Sequence, residues 1–307
     1  MKTAVITGAN GFIGSNLVGE LLNNNYKVYA LCHNKNSINI IKDERCVIIS
    51  CELENISQLK ELIPMGEAEV MFHFAWIGSA GNLRADTKVQ LQNAQRTIDC
   101  LKVAKDIGCK KFLCAGTIME HETIAAAYTQ GNRPGPGYIY GSGKLVAHTM
   151  CMSIAAQIGI DLIWPEITNA YGVGERSARL INTTIQQCIR GESPRFTSGT
   201  QKYDFVYIDD VVRALRLISE KGKPFHEYLI GSGKARALRE FLLEMKEAIA
   251  PHLDFVFGDI PFTGIDLPPE KFDTSHTEID TGFKASVSFA EGCKRTFEWW
   301  KSVCDDV

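Results

Sequence analysis

The stretch Thr7-Gly8-Ala9-Asn10-Gly11-Phe12-Ile13-Gly14 constrains the fold of this chain more than any other. It follows Met1-Lys2-Thr3-Ala4-Val5-Ile6, which reads as a short buried strand. It precedes Ser15-Asn16-Leu17-Val18-Gly19-Glu20-Leu21-Leu22, which is apolar at helical spacing. A strand, a glycine turn and a helix in that order make a cradle for a dinucleotide. Gly8 permits the tight turn, and Gly11 lets the backbone approach a pyrophosphate. Gly14 lets the helix pack close to the strand, and the helix N-terminus offers free N–H groups to the anion. Asn10, Phe12 and Ile13 belong to the same expected cofactor contact. The spacing is GxxGxxG rather than GxGxxG, so its place between strand and helix carries the reading.

The rest of the chain continues the alternation. Tyr26-Lys27-Val28-Tyr29-Ala30-Leu31-Cys32 and Cys46-Val47-Ile48-Ile49-Ser50 read as the second and third strands. Residues 70–75, 111–115, 161–164 and 227–230 read as the fourth to seventh, and 87–107 as a long helix with Val89, Ala94, Ile98, Leu101, Val103 and Ala104 on its apolar side. This predicts an α/β fold: a Rossmann-like doubly wound parallel sheet of about seven strands, covered on both faces. Ligands in such sheets gather at the carboxyl ends of the strands. Glu52, Leu53, Phe74, Ala75, Trp76, Pro165 and Gly116-Thr117 are expected there. From about residue 166 onward, excepting 206–230, the alternation weakens, and Pro261, Pro268 and Pro269 mark long loops. Residues 1–165 plus about 206–230 are therefore expected to form the dinucleotide-binding domain. About 166–205 plus 231–307 are expected to form a smaller mixed α/β substrate domain.

The end of the second strand meets the adenosine ribose in such folds, where an Asp or Glu favours NAD. Here the sequence is Cys32-His33-Asn34-Lys35, with no acid. His33 and Lys35 are placed to meet a 2′-phosphate, which leans the expectation to NADP over NAD, the alternative being that both are merely solvated. The reactive candidate is Tyr140 with Lys144, in Tyr140-Gly141-Ser142-Gly143-Lys144, after the Pro/Gly loop at 129–138. A helix puts residues four apart on one face. A phenol titrates near 10 in isolation, and a close ammonium favours its anion. Such a pair works as an acid/base unit on a carbonyl/alcohol couple while hydride moves to or from a nicotinamide.

Composition narrows the partners. The 307 residues carry a net charge of −3, with no basic stripe for nucleic acid. No apolar run approaches the roughly 20 residues that span a bilayer, and Met1 leads directly into the first strand, so neither membrane nor secretory signal is expected. Ten cysteines without CxxC spacing and seven histidines without HExxH indicate no metal and a cytoplasmic compartment with reduced thiols.

The turn at 7–14 together with Tyr140-x-x-x-Lys144 resembles the extended short-chain dehydrogenase/reductase superfamily, in its nucleotide-sugar epimerase/dehydratase branch. Further stretches are similar to that branch: His73-Phe74-Ala75, Gln92-Asn93-Ala94, Asn169-Ala170-Tyr171-Gly172, and Tyr203-Asp204-Phe205-Val206-Tyr207-Ile208-Asp209-Asp210-Val211. The resemblance implies that Asn93 supports the cofactor site, that Asn169 contacts a nucleotide sugar, and that Lys144 also bonds the cofactor ribose. It implies Thr117 as the third catalytic residue, whose hydroxyl bonds the reacting sugar oxygen. It further implies a homodimer through the helices near 87–107 and 140–156.

Departures from the branch narrow the reaction. Dehydratases carry Asp-Glu directly after that Thr, and decarboxylases a Glu. Here Ile118-Met119 follow, and Glu120 is out of register. The Cys and His of the double epimerase/reductases are not found. What remains is reduction of a 4-keto sugar or C4 epimerisation. A non-catalytic NAD(P) sensor or scaffold, or a reductase of a non-sugar carbonyl, are the alternatives. At the substrate end, Glu166 and Tyr203 stand where the family often has Arg, with Arg176, Arg179 or Arg236 as replacement cations.

Overall fold

In β1 (Lys2–Thr7), Ala4 and Ile6 face one layer and Val5 the other, and all three are fully buried. A strand buried on both faces needs cover on both. The computed structural model, which describes residues 1–33 and 41–305, shows how the chain supplies it. β1 is joined to β2 (Tyr26–Cys32) through α1 (Phe12–Asn23), and β3 (Cys46–Ser50) follows. β4 (Val70–His73) connects through α2 (Thr87–Asp106) to β5 (Lys111–Cys114) and the short β6 (Gly116–Thr117). Then come α3 (Met119–Tyr128), α4 (Tyr138–Ile158) and β7 (Asp161–Ile167). Next are β8 (Asn169–Tyr171), α5 (Leu180–Ile189), β9 (Phe205–Tyr207), α6 (Ile208–Lys221) and β10 (Glu227–Ile230). Lastly, α7 (Leu238–Ile249) and α8 (Phe289–Asp305) pack on each other.

The strand order is β10-β7-β5-β4-β1-β2-β3, with β6 beside β7, and every pairing in this sheet is parallel. Leu17, Val18 and Leu21 of α1 with Val211 and Leu215 of α6 cover one face. Leu101 and Ala104 of α2 with Ala147 and Cys151 of α4 cover the other. This is the doubly wound sheet that the alternation predicts. The order reverses at β1, between β2 and β4. That reversal opens a crevice above the carboxyl ends of β1 and β4, where such sheets bind ligands. The described cysteines are free thiols, mostly buried. Among the described residues no helix is long and apolar enough to cross a membrane.

The specific Asp204 and Asp210 of the 203–211 motif are structural. Asp204 is fully buried and accepts from the N–H groups of Ser232 (3.1 Å) and Gly233 (3.2 Å). Asp210 accepts from the N–H groups of Ser286 and Val287, each at 2.9 Å. They tie two distant loops to the ends of β9 and α6.

Candidate active site

The glycine turn is locked where it must be open to a ligand. Gly8 has φ +67°, and a Cβ there would stand 2.7 Å from the nitrogen of Ala75. A Cβ on Gly14 would collide with the carbonyl of Gly8, so α1 sits directly on the turn. α1 begins at Phe12 with Gly11 as its cap, no side chain caps it, and no acid lies in its first turn. Its leading N–H groups thus stay available to an anion. Thr7 Oγ1 accepts from the N–H groups of Phe74 (3.2 Å) and Ala75 (3.3 Å) and contacts His73 Nδ1 at 2.8 Å. Thr7 therefore directs its own hydrogen to Nδ1, which leaves Nε2–H to donate to Thr97 Oγ1 at 3.1 Å. Burial, seconded by Lys144, pushes the His73 imidazole down to about 3. His73 is a neutral strut joining β1, β4 and α2.

Above this turn lies a cavity of about 760 Å³. Its wall takes in Gly8, Asn10, Gly11, Phe12, Ile13 and Gly14, with Phe74 and Trp76. Across from them stand Thr117, Tyr140 and Lys144, and beyond these Asn169 and Tyr203. Tyr140 and Lys144 lie in the first two turns of α4 and are both buried. Lys144 Nζ donates to the carbonyl of Ala115 at 2.8 Å and stands 3.8 Å from the Trp76 ring centre. Tyr140 meets the Trp76 ring edge-on, with centroids 6.1 Å apart. Trp76 is itself held by Gln90 Oε1 (2.8 Å), while Gln90 Nε2 donates to the carbonyl of Leu83 at 2.9 Å. Asn93 Oδ1 accepts from the Ile77 N–H, and its Nδ2 donates to the Ile77 carbonyl at 2.7 Å. Asn93 thus supports the loop over the cavity from below.

Thr117 ends β6, and its position is set from behind. The Thr117 N–H donates to Glu120 Oε1 at 3.0 Å, and the same oxygen accepts from Trp164 Nε1 at 3.2 Å. Glu120 Oε2 pairs with His148 Nδ1 at 2.9 Å, and the His148 ring lies flat on Trp164, 4.6 Å between centroids. Glu120 is 1% exposed and faces the sheet, away from the cavity.

The sequence reading did not pick out Arg84 and Glu122, two charged groups of the wall. Arg84 places its guanidinium carbon 4.6 Å from the centre of the Tyr140 ring, donates to the Ser79 carbonyl at 3.1 Å and touches Met119 Sδ. Burial lowers its affinity for the proton. Glu122 enters the wall one turn after Met119. Burial pushes its carboxyl up to about 7, opposed by Arg84. Helical phase was the available signal, because Met119 and Glu122, three apart on α3, share a face. Arg84 comes from the loop between Gly81 and α2 and had no local signal.

Other expected residues lie elsewhere. His33 is exposed beside Glu52, with Nδ1 2.5 Å from the carboxylate, and Lys35 lies outside the described residues. Glu52, Leu53, Ala75 and Pro165 are not part of the cavity wall. Glu166 is not at the substrate end: its side chain is buried on the α4 side of β7, 2.6 Å from His121 Nε2. Arg176 and Arg179 line the cavity, whereas Arg236 pairs with Glu244 and covers the Phe241 ring.

The model of the NAD dependent epimerase/dehydratase family matches residues 4–231. The chain is 27% identical to a putative UDP-glucose 4-epimerase of Methanocaldococcus jannaschii, over 97% of this chain and 98% of that one. It is 24% identical to UDP-glucuronic acid decarboxylase 1 of Danio rerio, over 97% of this chain and 72% of that one. A Thermotoga maritima UDP-glucose 4-epimerase structure with UDP-glucose shares the fold at a TM-score of 0.81 and 22% identity, covering 98% of this chain and 99% of that one. A Bacillus cereus UDP-glucuronic acid 4-epimerase with UDP-glucuronic acid and NAD does so at 0.79 and 22%, with the same coverage. The chain belongs to the NAD dependent epimerase/dehydratase family.

Proposed function

We propose that this chain is an NAD-dependent enzyme acting at C4 of a UDP-sugar, either epimerising the carbinol through a transient ketone or reducing a 4-keto sugar. The observation that carries this reading is that Thr117, Tyr140 and Lys144 share one cavity with an uncapped helix end. The cradle fits a dinucleotide: Gly8 and Gly14 leave no room for a side chain against the backbone of Ala75 and of the turn, so α1 sits close on the turn, and no side chain caps its N-terminus. Bound there, the nicotinamide would supply the acceptor or donor of hydride.

The chain's own residues handle the proton and the geometry. Tyr140 exchanges a proton with the sugar oxygen through its phenol. Lys144, pinned by Ala115 and Trp76, places its ammonium along the same helix face and would be the group to bond a ribose hydroxyl of the cofactor. Thr117 offers its hydroxyl to the reacting oxygen. Asn169 and Tyr203 extend the wall toward the sugar, and Arg176 and Arg179 are the cations available to the diphosphate.

NAD over NADP is supported by the NAD bound in the Bacillus cereus neighbour. Leu91 on α2 and Met150 on α4 are exposed apolar groups, which supports a homodimer through these helices. Light scattering at twice 34.0 kDa checks it.

Tyr140→Phe should keep cofactor binding and lower turnover by about 10²–10⁴-fold. Near-normal turnover in that variant overturns the assignment. Cofactor retained through purification without net consumption marks the epimerase, and stoichiometric NAD(P)H oxidation with a 4-keto sugar marks the reductase.

A further inference from the structure

The cavity wall holds two acids, and they differ in how they are used. Glu175 is committed, since Oε1 accepts from the N–H (2.9 Å) and the hydroxyl (2.6 Å) of Ser177. Glu122 makes no side-chain hydrogen bond and no ion pair within 4.0 Å among the described residues. Arg84 feels its charge but stands too far away to bridge to it. The Glu122 carboxyl is partly buried and lines the same cavity as Arg84, whose guanidinium stands over the Tyr140 ring, so both groups are open to a partner that enters from outside the chain. Arg84 offers N–H donors to the cavity, and Glu122 offers acceptors to it. A group that accepts from the first and donates to the second completes both. A hydroxyl does so, and a charged carboxylate does not.

We propose that Arg84 and Glu122 seat a hydroxyl of the sugar that flanks the carbon on which Tyr140 acts, and that Glu122 makes this hydroxyl a requirement for tight binding. This rests on the UDP-sugar reading of the same cavity and specifies which part of the sugar is recognised there. The recognised class is a hexose with a free hydroxyl on C3, which is bonded to C4, or on the exocyclic C6, which is carried by the other neighbour, C5. A site that hydrogen-bonds a substrate hydroxyl rejects the analogue lacking it, because its own polar groups are then stranded. Glu122 differs in role from Tyr140 and Thr117: it selects the sugar and takes no part in the proton transfer at C4.

The test is calorimetric titration of the purified protein, with its cofactor bound, by UDP-glucose, UDP-3-deoxyglucose, UDP-6-deoxyglucose and UDP. One of the two deoxy sugars should bind the wild-type protein about 30-fold more weakly than UDP-glucose, as expected for loss of a hydrogen bond to a charged group. In Glu122→Ala that penalty should shrink to less than about threefold. Glu122→Gln keeps a carbonyl acceptor and should retain most of it, which separates recognition from a general loss of packing. Equal binding of all three sugars by the wild-type protein, or a penalty that persists in Glu122→Ala, overturns the proposal. If UDP-glucose binds no better than UDP while the cofactor stays bound, the UDP-sugar reading falls, and this proposal falls with it.

Discussion

Glu122→Gln should stabilise the protein at alkaline pH and much less at acid pH. Burial holds the Glu122 carboxyl at about 7 against an ordinary value of 4.5. The folded protein therefore keeps this proton more tightly than the unfolded chain. Well below pH 4.5 both states are protonated, and the group contributes no pH dependence. Between 4.5 and about 7 the unfolded chain ionises freely while the folded one resists, so stability falls as pH rises through that window and levels off above it. The full gap, at about 1.4 kcal/mol per pH unit, sets a ceiling of about 3 kcal/mol. The carboxyl opens onto a cavity that admits water, and screening and relaxation reduce this to about 1–2 kcal/mol. Glutamine removes the ionisation and keeps the shape. The variant-minus-wild-type difference should therefore grow by about 1–2 kcal/mol between pH 4.5 and 8, or roughly 1.5–3 °C in Tm. Thermal unfolding followed by circular dichroism across that range, without substrate, measures it. A difference that stays flat with pH, or that shrinks toward pH 8, refutes the argument. A stabilising substitution at a substrate-facing acid is the usual trade of stability for function.

The acid behind the site should respond differently. Glu120→Met strands the Thr117 N–H, the Trp164 Nε1–H and His148, and is expected to cost about 2–4 kcal/mol in denaturant unfolding. Glu120→Gln keeps an acceptor for the first two and should recover most of that loss. If Glu120→Met is neutral, the support assigned to Thr117 is not needed.

The sheet was legible because its strands are buried on both faces and so appear as short apolar runs, as in Val28 to Cys32 or Phe112 to Cys114. The glycine turn was legible because its geometry admits few other residues. Tyr140 and Lys144 were legible because the two groups lie on one helix face. Arg84 was not, since its place over Tyr140 depends on a loop fixed by Gln90 and Asn93 from another element. The His33–Glu52 pair joins the ends of two strands that are neighbours only in the folded sheet. Glu166 was open to a better reading. Trp164 packs on the α4 side of β7 and Ile167 lines the cavity, so strand alternation turns Glu166 to the side of Trp164, away from the ligand.

Helical phase separates Glu120, the one acid that the linear reading weighed, from Glu122, which it did not consider. The positions directly after Thr117 hold Ile118 and Met119, which suggested a site without a carboxyl beyond the Tyr–Lys pair. α3 begins at Met119, and from there side chains advance about 100° per residue. Glu120 and Glu122 are therefore about 200° apart around the helix. One carboxylate points back to the sheet and holds the Thr117 backbone, and the other points into the cavity beside Arg84 and Tyr140. Moving the front acid by one residue in either direction would turn it out of the wall. Its reach into the cavity thus depends on α3 starting where it does, directly on the residue that follows Thr117 and Ile118. The register that removes a carboxyl from the positions next to Thr117 is the same register that delivers one a turn later, within reach of the sugar and clear of the reacting oxygen.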